Sequence, residues 1–278
     1  MFAWPSNYDS CFTLRSPITR EGIGLHSGEK TKAVISPYQE EGYFVSFSDR
    51  PKEIYKLDQS LIGTSMLCTA VKLGNRNLYT IEHLLSSLAG CGLSYIHIEV
   101  DGKEIPLLDG SAIQWVRAFE EVGIKKVLKP KNYMLEISSP EIFNKGNSII
   151  AITPHSQLKI ISTIDFDYEA IGNQTFIIDL SPKSFVENIA PARTFGFKDQ
   201  FQELSEIGLI KGGSLENALV CDGDRWVNPP LRFDNEPIRH KILDLIGDLA
   251  LVGLPKAQII VYKGSHSLNA LLASSLNN

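Results

Sequence analysis

The sequence predicts an α+β protein made of two similar domains, each a sheet layered with helices. Both halves of the chain contain strand-like segments first and helix-like segments late, an order that is typical of α+β domains. A polar, basic stretch that contains Pro130 separates the halves, so we expect domains at residues 1–126 and 132–278 with a linker at 127–131. The segments EHLLSSLAGCGL and RHKILDLIGDLALVGL each place a His near the start of an apolar helix, which a duplicated fold would explain.

The elements expected in the first half follow from periodicity and turn residues. We expect strands at residues 32–36, 43–48, 65–73 and 94–100, and helices at residues 80–90 and 112–122. In the first helix, TIEHLLSSLAG, Thr80 is placed to cap the N-terminus, and Gly90 and Gly92 are placed to end the helix. Asp109, in the turn PLLDGSA, is expected to be a turn residue and an N-cap.

The second half repeats this order over a longer stretch. We expect strands at residues 133–138, 148–153, 157–166, 174–180 and 258–262, and helices at residues 182–189, 199–207, 237–252 and from about residue 267. Pro237 and Gly253 frame the third of these helices, PIRHKILDLIGDLALV, at its two ends.

Composition and charge place the chain among ordinary globular proteins. Of its 278 residues, 43% are hydrophobic and 21% are charged, and the formal net charge is −5 with acids and bases interspersed. Nucleic-acid binding would need a clustered basic face, and the apolar runs are too short to span a bilayer. The start MFAWPSNYDSCF lacks the features of a signal peptide, and four scattered cysteines without a CxxC pair suit a reducing compartment. We therefore expect a cytoplasmic protein without a transmembrane segment or a nucleic-acid partner.

The helix PIRHKILDLIGDLALV carries two stripes of side chains. Its apolar residues recur at helical spacing and should face a core, while His240, Asp244 and Asp248 recur every fourth residue as an ionisable stripe. Two ligands at this spacing can chelate one metal ion, as in zinc sites, and His83 is the obvious third ligand. Its neighbour Glu82 could take a proton from water as a general base, which indicates a metal-assisted amide or ester hydrolase.

Simpler interpretations of these residues stay open at this point. A His–Asp pair at this spacing is more often a plain hydrogen bond than a metal site. Glu82 is most simply a first-turn acid favoured by the helix dipole, and Asp248 could be an exposed carboxylate. His26 lies in the glycine-rich turn GIGLHSGE, where the backbone can approach a ligand closely. His266 follows a Gly-Ser turn at a helix start, where its protonated imidazole could donate to a leaving amine and Asp248 could hold it charged.

Seven motifs, in order along most of the chain, resemble one enzyme family. They are GIGLHSGE, TIEHLLSSLAG, PLLDGSA, ARTFGF, GGSLENALV, HKILDLIGDL and KGSHSLN, and the similarity extends from about Leu14 to about Leu272. The family is UDP-3-O-acyl-N-acetylglucosamine deacetylase, the zinc enzyme of the committed step of lipid A synthesis in Gram-negative bacteria. The resemblance implies two α+β domains of similar topology, packed face to face with the active site between them.

The resemblance also implies roles for individual residues. The implied catalytic residues are the zinc ligands His83, His240 and Asp244, the general base Glu82, the catalytic His266 oriented by Asp248, and the oxyanion donor Thr194. The implied substrate contacts are Phe195, Lys241 and an apolar passage for the acyl chain formed by Phe201, Leu204, Ile207, Leu209 and Ile210. For that passage, the same apolar pattern alone would mean only an amphipathic helix. His26 matches a position that can hold a second, inhibitory ion.

The reaction implied by the resemblance is hydrolysis of the N-acetyl group of UDP-3-O-acyl-N-acetylglucosamine to the free amine and acetate. The implied partner is this small molecule, the implied cofactor is one catalytic Zn²⁺, and the chain is expected to be a monomer. Gly264-Ser265 precede His266 where the family often has Ser-Gly, and both orders allow a tight turn.

Two rival functions remain. The first is a zinc peptidase or an amidase for another N-acyl sugar, which the ligand set alone cannot exclude. A catalytically silent sugar-nucleotide-binding homologue would be expected to have lost Glu82 or a ligand, and all of these residues are present.

Overall fold

The computed structural model describes residues 2–63, 67–128 and 134–276 of the chain. The strands before the predicted linker are β1 (Phe12–Leu14), β2 (Ile18–Ile23), β3 (Lys30–Pro37), β4 (Gly42–Phe47), β5 (Arg50–Lys56), β6 (Ile62–Gly63), β7 (Ala70–Leu73), β8 (Arg76–Leu78), β9 (Tyr95–Asp101) and β10 (Ile124–Lys126). The helices of this first half are α1 (Glu82–Gly90) and α2 (Ile113–Val122), with a 3₁₀ helix over Gln59–Leu61.

The second half contains a similar set of elements. Its strands are β11 (Met134–Glu136), β12 (Glu141–Lys145), β13 (Ser148–Pro154), β14 (Lys159–Asp165), β15 (Asn173–Asp179), β16 (Phe195–Phe197), β17 (Leu219–Asp222), β18 (Arg225–Trp226) and β19 (Leu254–Tyr262). Its helices are α3 (Pro182–Asn188), α4 (Phe201–Glu206), α5 (Glu236–Leu249) and α6 (His266–Ser275), with a 3₁₀ helix over Lys198–Gln200.

Two sheets repeat one topology. The first has the strand order β2-β3-β9-β4-β5 and the second the order β12-β13-β19-β14-β15, with β11 pairing in addition with β19. The central strand, β9 or β19, is antiparallel to the strand on one side and parallel to the strand on the other, and both outer pairs are antiparallel. One helix precedes the central strand (α1 or α5) and another follows it (α2 or α6). The prediction of two similar α+β domains is confirmed.

The predicted linker follows the last strand of the first half. β10 ends at Lys126, which lies opposite Phe12 of β1, and the backbone N–H of Val127 donates to the carbonyl O of Cys11. Residues 129–131 of the predicted linker lie outside the described residues. The domain boundaries at residues 126 and 132 therefore stay a prediction.

Helices carry much of the contact between the two halves. Every residue of α1 is buried, and α1 packs along α5, which in turn packs on α6 and on the strands β14 and β15. In β9, alternate residues face the core, since Ile96, Ile98 and Val100 are fully buried. One hydrophobic core includes buried side chains from both halves of the chain.

Neither residue expected to cap a helix does so. The N-cap of α1 is Ile81, and Thr80, at a φ of +57°, donates its hydroxyl hydrogen to Glu104 instead. The N-cap of α2 is Ala112. Asp109 is a turn residue as expected, and its Oδ1 accepts hydrogen bonds from the backbone N–H and the hydroxyl group of Ser111. A tertiary partner therefore engages Thr80 and a local turn engages Asp109 Oδ1, in place of capping.

Other element boundaries differ modestly from the sequence expectations. The strand expected at residues 65–73 begins only at Ala70, and residues 65 and 66 lie outside the described residues. The helix expected at residues 199–207 is a 3₁₀ turn followed by the short α4.

Helix α5 is shorter than the sequence predicts. It ends at Leu249 rather than at residue 252, with Pro237 in its first turn and Gly253 beyond its end at a φ of +107°. It has 14 residues, whereas a membrane-spanning helix needs about 20. Within the described ranges, no helix is long and apolar enough to cross a membrane.

Candidate active site

Helices α1 and α5 meet where Gly247 contacts the first turn of α1. A Cβ atom on Gly247 would lie 2.2 Å from the carbonyl O of Glu82, so a larger residue would force the helices apart. Glu82 and His83 are the first residues of α1, and both are buried. This approach brings them against the ionisable stripe of α5.

The predicted ligands His83, His240 and Asp244 form the centre of this cluster. Their candidate ligand atoms all lie within 4.8 Å of one another, and all three residues are buried. Asp244 Oδ1 lies 3.8 Å from His83 Nε2 and 3.3 Å from His240 Nε2. Lys241 Nζ donates to the other carboxylate oxygen, Asp244 Oδ2, at 2.8 Å. One carboxylate oxygen and two imidazole nitrogens therefore share a common volume.

The protonation states of these side chains suit a cation. His240 Nδ1 lies 3.1 Å from the carbonyl O of Ala192, and because a carbonyl only accepts, Nδ1 carries the proton and Nε2 keeps its lone pair. Burial and then the neighbouring His240 lower the pKa of His83 to about 3, and burial also lowers the pKa of His240. Burial alone would raise the pKa of Asp244, but Lys241 and the imidazoles outweigh it and hold this pKa well below its usual range. Two neutral imidazoles and a carboxylate are a donor set that fits zinc.

Glu82 lies beside the cluster at the N-terminus of α1. Its Oε2 accepts a hydrogen bond from the backbone N–H of Thr69 at 3.0 Å, and its side chain is buried. Burial, opposed only in part by the charge of His266, raises the pKa of Glu82 to about 8. A carboxyl group with a pKa near neutrality can exchange a proton with water in the physiological pH range.

His266 and Asp248 form an ion pair next to the cluster. His266 Nδ1 lies 2.9 Å from Asp248 Oδ2. Asn269 Nδ2 donates to the same oxygen at 2.8 Å, and Thr69 donates its hydroxyl hydrogen to Asp248 Oδ1. Burial alone would lower the pKa of His266, but the charge and hydrogen bond of Asp248 outweigh it and raise this pKa to about 10. The imidazole is therefore charged at neutral pH.

The unusual order Gly264-Ser265 is compatible with the predicted placement of His266. Ser265 is the N-cap of α6, and its hydroxyl oxygen accepts a hydrogen bond from the backbone N–H of Leu268 at 3.4 Å. A Cβ atom on Gly264 would lie 2.7 Å from Val261 Cγ1, which favours glycine at this position. His266 is thus the first residue of α6, and it faces the cavity of the site.

A cavity of about 480 Å³ lies over the cluster. The predicted site residues that line it are Glu82, His83, Thr194, Phe195, Leu204, Ile210, His240, Lys241, Asp244 and His266. Lys241 Nζ lies 5.6 Å from the centroid of the Phe195 ring, so a cationic and an aromatic side chain share one wall. The structure therefore brings most of the predicted site residues to one cavity.

Several predicted residues lie outside the lining of this cavity. Asp248 lies behind His266, and Phe201 packs near Gly196, where a Cβ atom would meet its ring at 3.5 Å. Ile207, the C-cap of α4, is exposed, and Leu209 lies beyond it. Phe201, Ile207 and Leu209 stay predictions as parts of an acyl passage.

His26 also lies outside the cavity lining. Its backbone N–H donates to Glu104 Oε1 at 2.9 Å, and its Nδ1 accepts from the backbone N–H of Ile210 at 3.4 Å. Its suggested role at a second ion stays a prediction. The observed contacts instead tie the glycine-rich turn to the segment that contains Ile210.

Sequence reasoning missed several residues of the site. Thr69 contacts Glu82, Asp248 and His266, but it lies in a segment that was expected to be a plain strand. Asn269 follows His266 by three positions in α6. This spacing places both side chains on one face of the helix and could have identified Asn269. Phe166, Phe197 and Leu25 add to the apolar wall. Leu25 and Phe197 lie in the motifs GIGLHSGE and ARTFGF, whereas Phe166 carries no sequence signal beyond hydrophobicity.

Comparisons with known proteins identify the family. The sequence model of the LpxC family, UDP-3-O-acyl N-acetylglycosamine deacetylase, matches residues 12–278. The chain is 44% identical to the UDP-3-O-acyl-N-acetylglucosamine deacetylase of Trichormus variabilis over 271 residues, which cover 95% of this chain and 97% of the relative. It is 41% identical to the enzyme of that name from Synechocystis, at the same two coverages, and 38% identical to one from Campylobacter jejuni, covering 95% of this chain and 90% of the relative. The chain therefore belongs to the UDP-3-O-acyl-N-acetylglucosamine deacetylase family.

Proposed function

We propose that this chain is a zinc-dependent hydrolase that removes the N-acetyl group of UDP-3-O-acyl-N-acetylglucosamine, the committed step of lipid A synthesis. The observation that carries the proposal is the convergence of the three candidate ligands within 4.8 Å, at a cavity that Glu82 and His266 also line. The relatives' names supply the substrate, since each is called a UDP-3-O-acyl-N-acetylglucosamine deacetylase. The products are acetate and the free amine.

His83, His240 and Asp244 would hold the zinc ion. When bound, zinc lowers the pKa of water toward neutrality and polarises a carbonyl oxygen as a Lewis acid. Lys241 orients one ligand, because its bond to Asp244 Oδ2 leaves Oδ1 turned toward the two imidazoles. The carbonyl of Ala192 orients His240 and fixes its tautomer.

Glu82 is the proposed general base. It is adjacent in sequence to a ligand, lines the cavity, and is fixed by the hydrogen bond from Thr69 to Oε2. A nearby cation favours the ionised form of a carboxyl group and so opposes the effect of burial. Glu82 can then accept the proton of the attacking water.

His266 is the proposed acid. Its Nδ1 is engaged by Asp248, and its Nε2 lies 4.0 Å from Asp244 Oδ2, on the side of the cluster. A pKa of about 10 keeps the imidazole charged at neutral pH, so it can stabilise a developing oxyanion or donate a proton to the leaving amine. Thr194, which lines the same cavity, is proposed to donate its hydroxyl hydrogen to the oxyanion.

The substrate contacts follow from the walls of the cavity. Lys241 and Phe195 form a cationic and aromatic wall beside the cluster, which suits the polar edge and apolar face of a sugar. Leu204 and Ile210 provide apolar surface for the acyl chain, and Phe201 is proposed to extend that surface beyond the cavity.

Acetate release from UDP-3-O-acyl-N-acetylglucosamine tests the proposal. We would measure it with the purified chain as isolated, after removal of metal by a chelator, and after addition of zinc. Release should vanish with the metal and return with zinc.

Two outcomes would contradict the proposal. No release with zinc demonstrably bound, over a series of acyl lengths, would favour a silent sugar-nucleotide-binding homologue. Equal release from unrelated N-acyl sugars would instead indicate an amidase of broader specificity.

A further inference from the structure

Thr69 connects three helices at the candidate active site. It directly precedes β7 and is 5% exposed. Its backbone is fixed against the start of α1, where its N–H donates to Glu82 Oε2 at 3.0 Å and its carbonyl accepts from the N–H of Ile81 at 3.4 Å. Its side chain contacts Asp248 of α5 and His266 of α6. One residue therefore touches both the proposed base and the proposed acid pair.

The hydroxyl group of Thr69 has a defined role in this hydrogen-bond network. It has one hydrogen to donate, and Asp248 Oδ1 accepts it. Its oxygen lies 3.2 Å from His266 Nδ1, which lies 2.9 Å from Asp248 Oδ2. Since a carboxylate only accepts, His266 Nδ1 carries a proton that faces both the carboxylate and the hydroxyl oxygen. Asn269 holds Oδ2 from the other side at 2.8 Å.

We propose that Thr69 is a positioning residue, whose hydroxyl group holds Asp248 and His266 in the orientation that turns His266 Nε2 toward the reacting groups. The inference rests on the proposed function in that His266 is the acid. Asp248 is 2% exposed, so loss of the donor would leave a buried carboxylate oxygen short of a hydrogen bond. Asn269 and His266 would then hold the carboxylate by Oδ2 alone, and its orientation would be less well fixed.

The kinetic test compares Thr69→Val, which keeps the shape and removes the hydroxyl, with Thr69→Ser, which keeps the hydroxyl. We expect Thr69→Val to lower kcat about 10–100-fold, as loss of an outer hydrogen-bond partner does, with KM and zinc content unchanged. Thr69→Ser should retain most of the activity. The matched control is Thr13→Val, because the buried hydroxyl of Thr13 donates to the carbonyl O of Tyr95 in β9 at 2.6 Å, apart from the site residues. Its kcat should stay at the parent value.

A second readout does not depend on catalysis. In ¹⁵N-histidine-labelled protein, the ring signals of His266, assigned with His266→Gln, report the proton on Nδ1 and its hydrogen bond. We expect these signals to shift in Thr69→Val and to keep the parent position in Thr69→Ser and Thr13→Val. If the parent protein released no acetate, the proposed function would fail while this comparison still decided the role of Thr69.

Three results would overturn the inference. One is a Thr69→Val protein with the parent kcat and parent His266 signals. Another is impairment of Thr69→Ser equal to or greater than that of Thr69→Val, which would show that keeping the hydroxyl group does not preserve activity. If Thr69→Val did not fold, Thr69→Ala would be measured instead. The third contrary result would be parent-like His266 signals in Thr69→Ala.

Discussion

At position 82, burial favours the neutral carboxyl group, whereas the role of general base requires the ionised one. Burial raises the pKa of Glu82 to about 8, and a solvated glutamate in a first helical turn would have no such shift. The backbone N–H of Thr69 donates to its Oε2 and holds the group in place despite its burial. A buried acid beside candidate ligands is the pattern expected of a proton-transfer residue rather than of a helix-capping charge.

Glu82→Gln tests this role at the scale of one atom. The amide keeps the size of the side chain and an oxygen acceptor for the Thr69 N–H, but it cannot take a proton. We expect zinc content to be retained and acetate release to fall at least about 100-fold. Glu136→Gln is the matched control, since Glu136 is an exposed carboxylate paired with Lys256. Equal rates for Glu82→Gln and the parent would remove Glu82 from the role of base.

His240→Ala and Asp244→Ala test the ligand assignment. Each removes one donor of the cluster. Zinc affinity should therefore fall by more than the loss of about 10–100-fold that follows removal of a ligand's hydrogen-bond partner. Competition with a chromophoric chelator would measure it. His155→Ala is the control, because His155 is exposed and its imidazole Nδ1 bonds locally to Gln157. Unchanged affinity in both site variants would remove the assignment.

The convergence of the candidate ligands could be predicted from sequence better than their surroundings. His240 and Asp244 follow from helical spacing, which is a local property. Thr69 could not be found in this way, because it meets Asp248 across 179 residues of chain and only the folded molecule brings them together.

At the scale of elements, the contact of α1 with α5 depends on one missing side chain. Gly247→Ala adds a methyl group that would sit 2.2 Å from the Glu82 carbonyl O. Helix propensity alone predicts about 1 kcal/mol of stabilisation, whereas the clash predicts about 1–3 kcal/mol of destabilisation. We expect the clash to outweigh the helix propensity, so that Gly247→Ala is less stable than the parent. Zinc binding should also weaken, because His83 moves away from α5. Urea unfolding and chelator competition would measure both effects.

Gly63→Ala is the matched control for this substitution. A Cβ atom on Gly63 would have its nearest neighbour at 3.7 Å, which is ordinary contact. A Gly247→Ala protein as stable as the parent, or more stable, would show that the helices adjust without cost.

Element prediction succeeded where a pattern was long and failed where tertiary contacts set the ends. α1, α5 and β9 each present a continuous buried face, so periodicity finds them. Short strands such as β16 to β18 pair mainly with one another and have no such pattern. The start of α1 was misassigned because Thr80 bonds to Glu104 rather than to the helix.

At the scale of the whole molecule, an ion pair joins the two halves. Arg232 donates to Asp109 Oδ2 at 2.7 Å, and Ser111 donates to Oδ1. Burial alone would raise the pKa of Asp109, but these partners outweigh it and hold this pKa below its usual value. Because the folded pKa is the lower one, Asp109 stabilises the fold above the unfolded pKa of about 4. That stabilisation is lost as the pH falls through the folded pKa.

Asp109→Asn should therefore destabilise the protein in a pH-dependent way. We expect a loss of about 1 kcal/mol in the free energy of unfolding at pH 7, since Arg232 is partly exposed and the pair is screened. The loss should shrink at about pH 4 and below. Urea unfolding at both pH values measures it, with the exposed Asp224→Asn as control. The same loss at both pH values would show that the charge of Asp109 is not the cause.

The duplicated architecture could be predicted from sequence only in outline. The repeated helix segments suggested two similar domains, and the two sheets share one strand order. The insertion of β9 and β19 between earlier strands could not be predicted, because pairing of distant strands depends on the whole chain rather than on local pattern.

The division of the ligands between α1 and α5 also has a consequence for folding. Neither half contains all three donors, so the complete donor cluster exists only when both halves are folded and docked. A zinc ion held there would bind the docked state and not the separated halves. At a free concentration 1,000-fold above its Kd it would stabilise that state by about 4 kcal/mol. The ion proposed for catalysis would then also serve as a cross-link between the two halves, and its removal would loosen the molecule as well as stop the reaction.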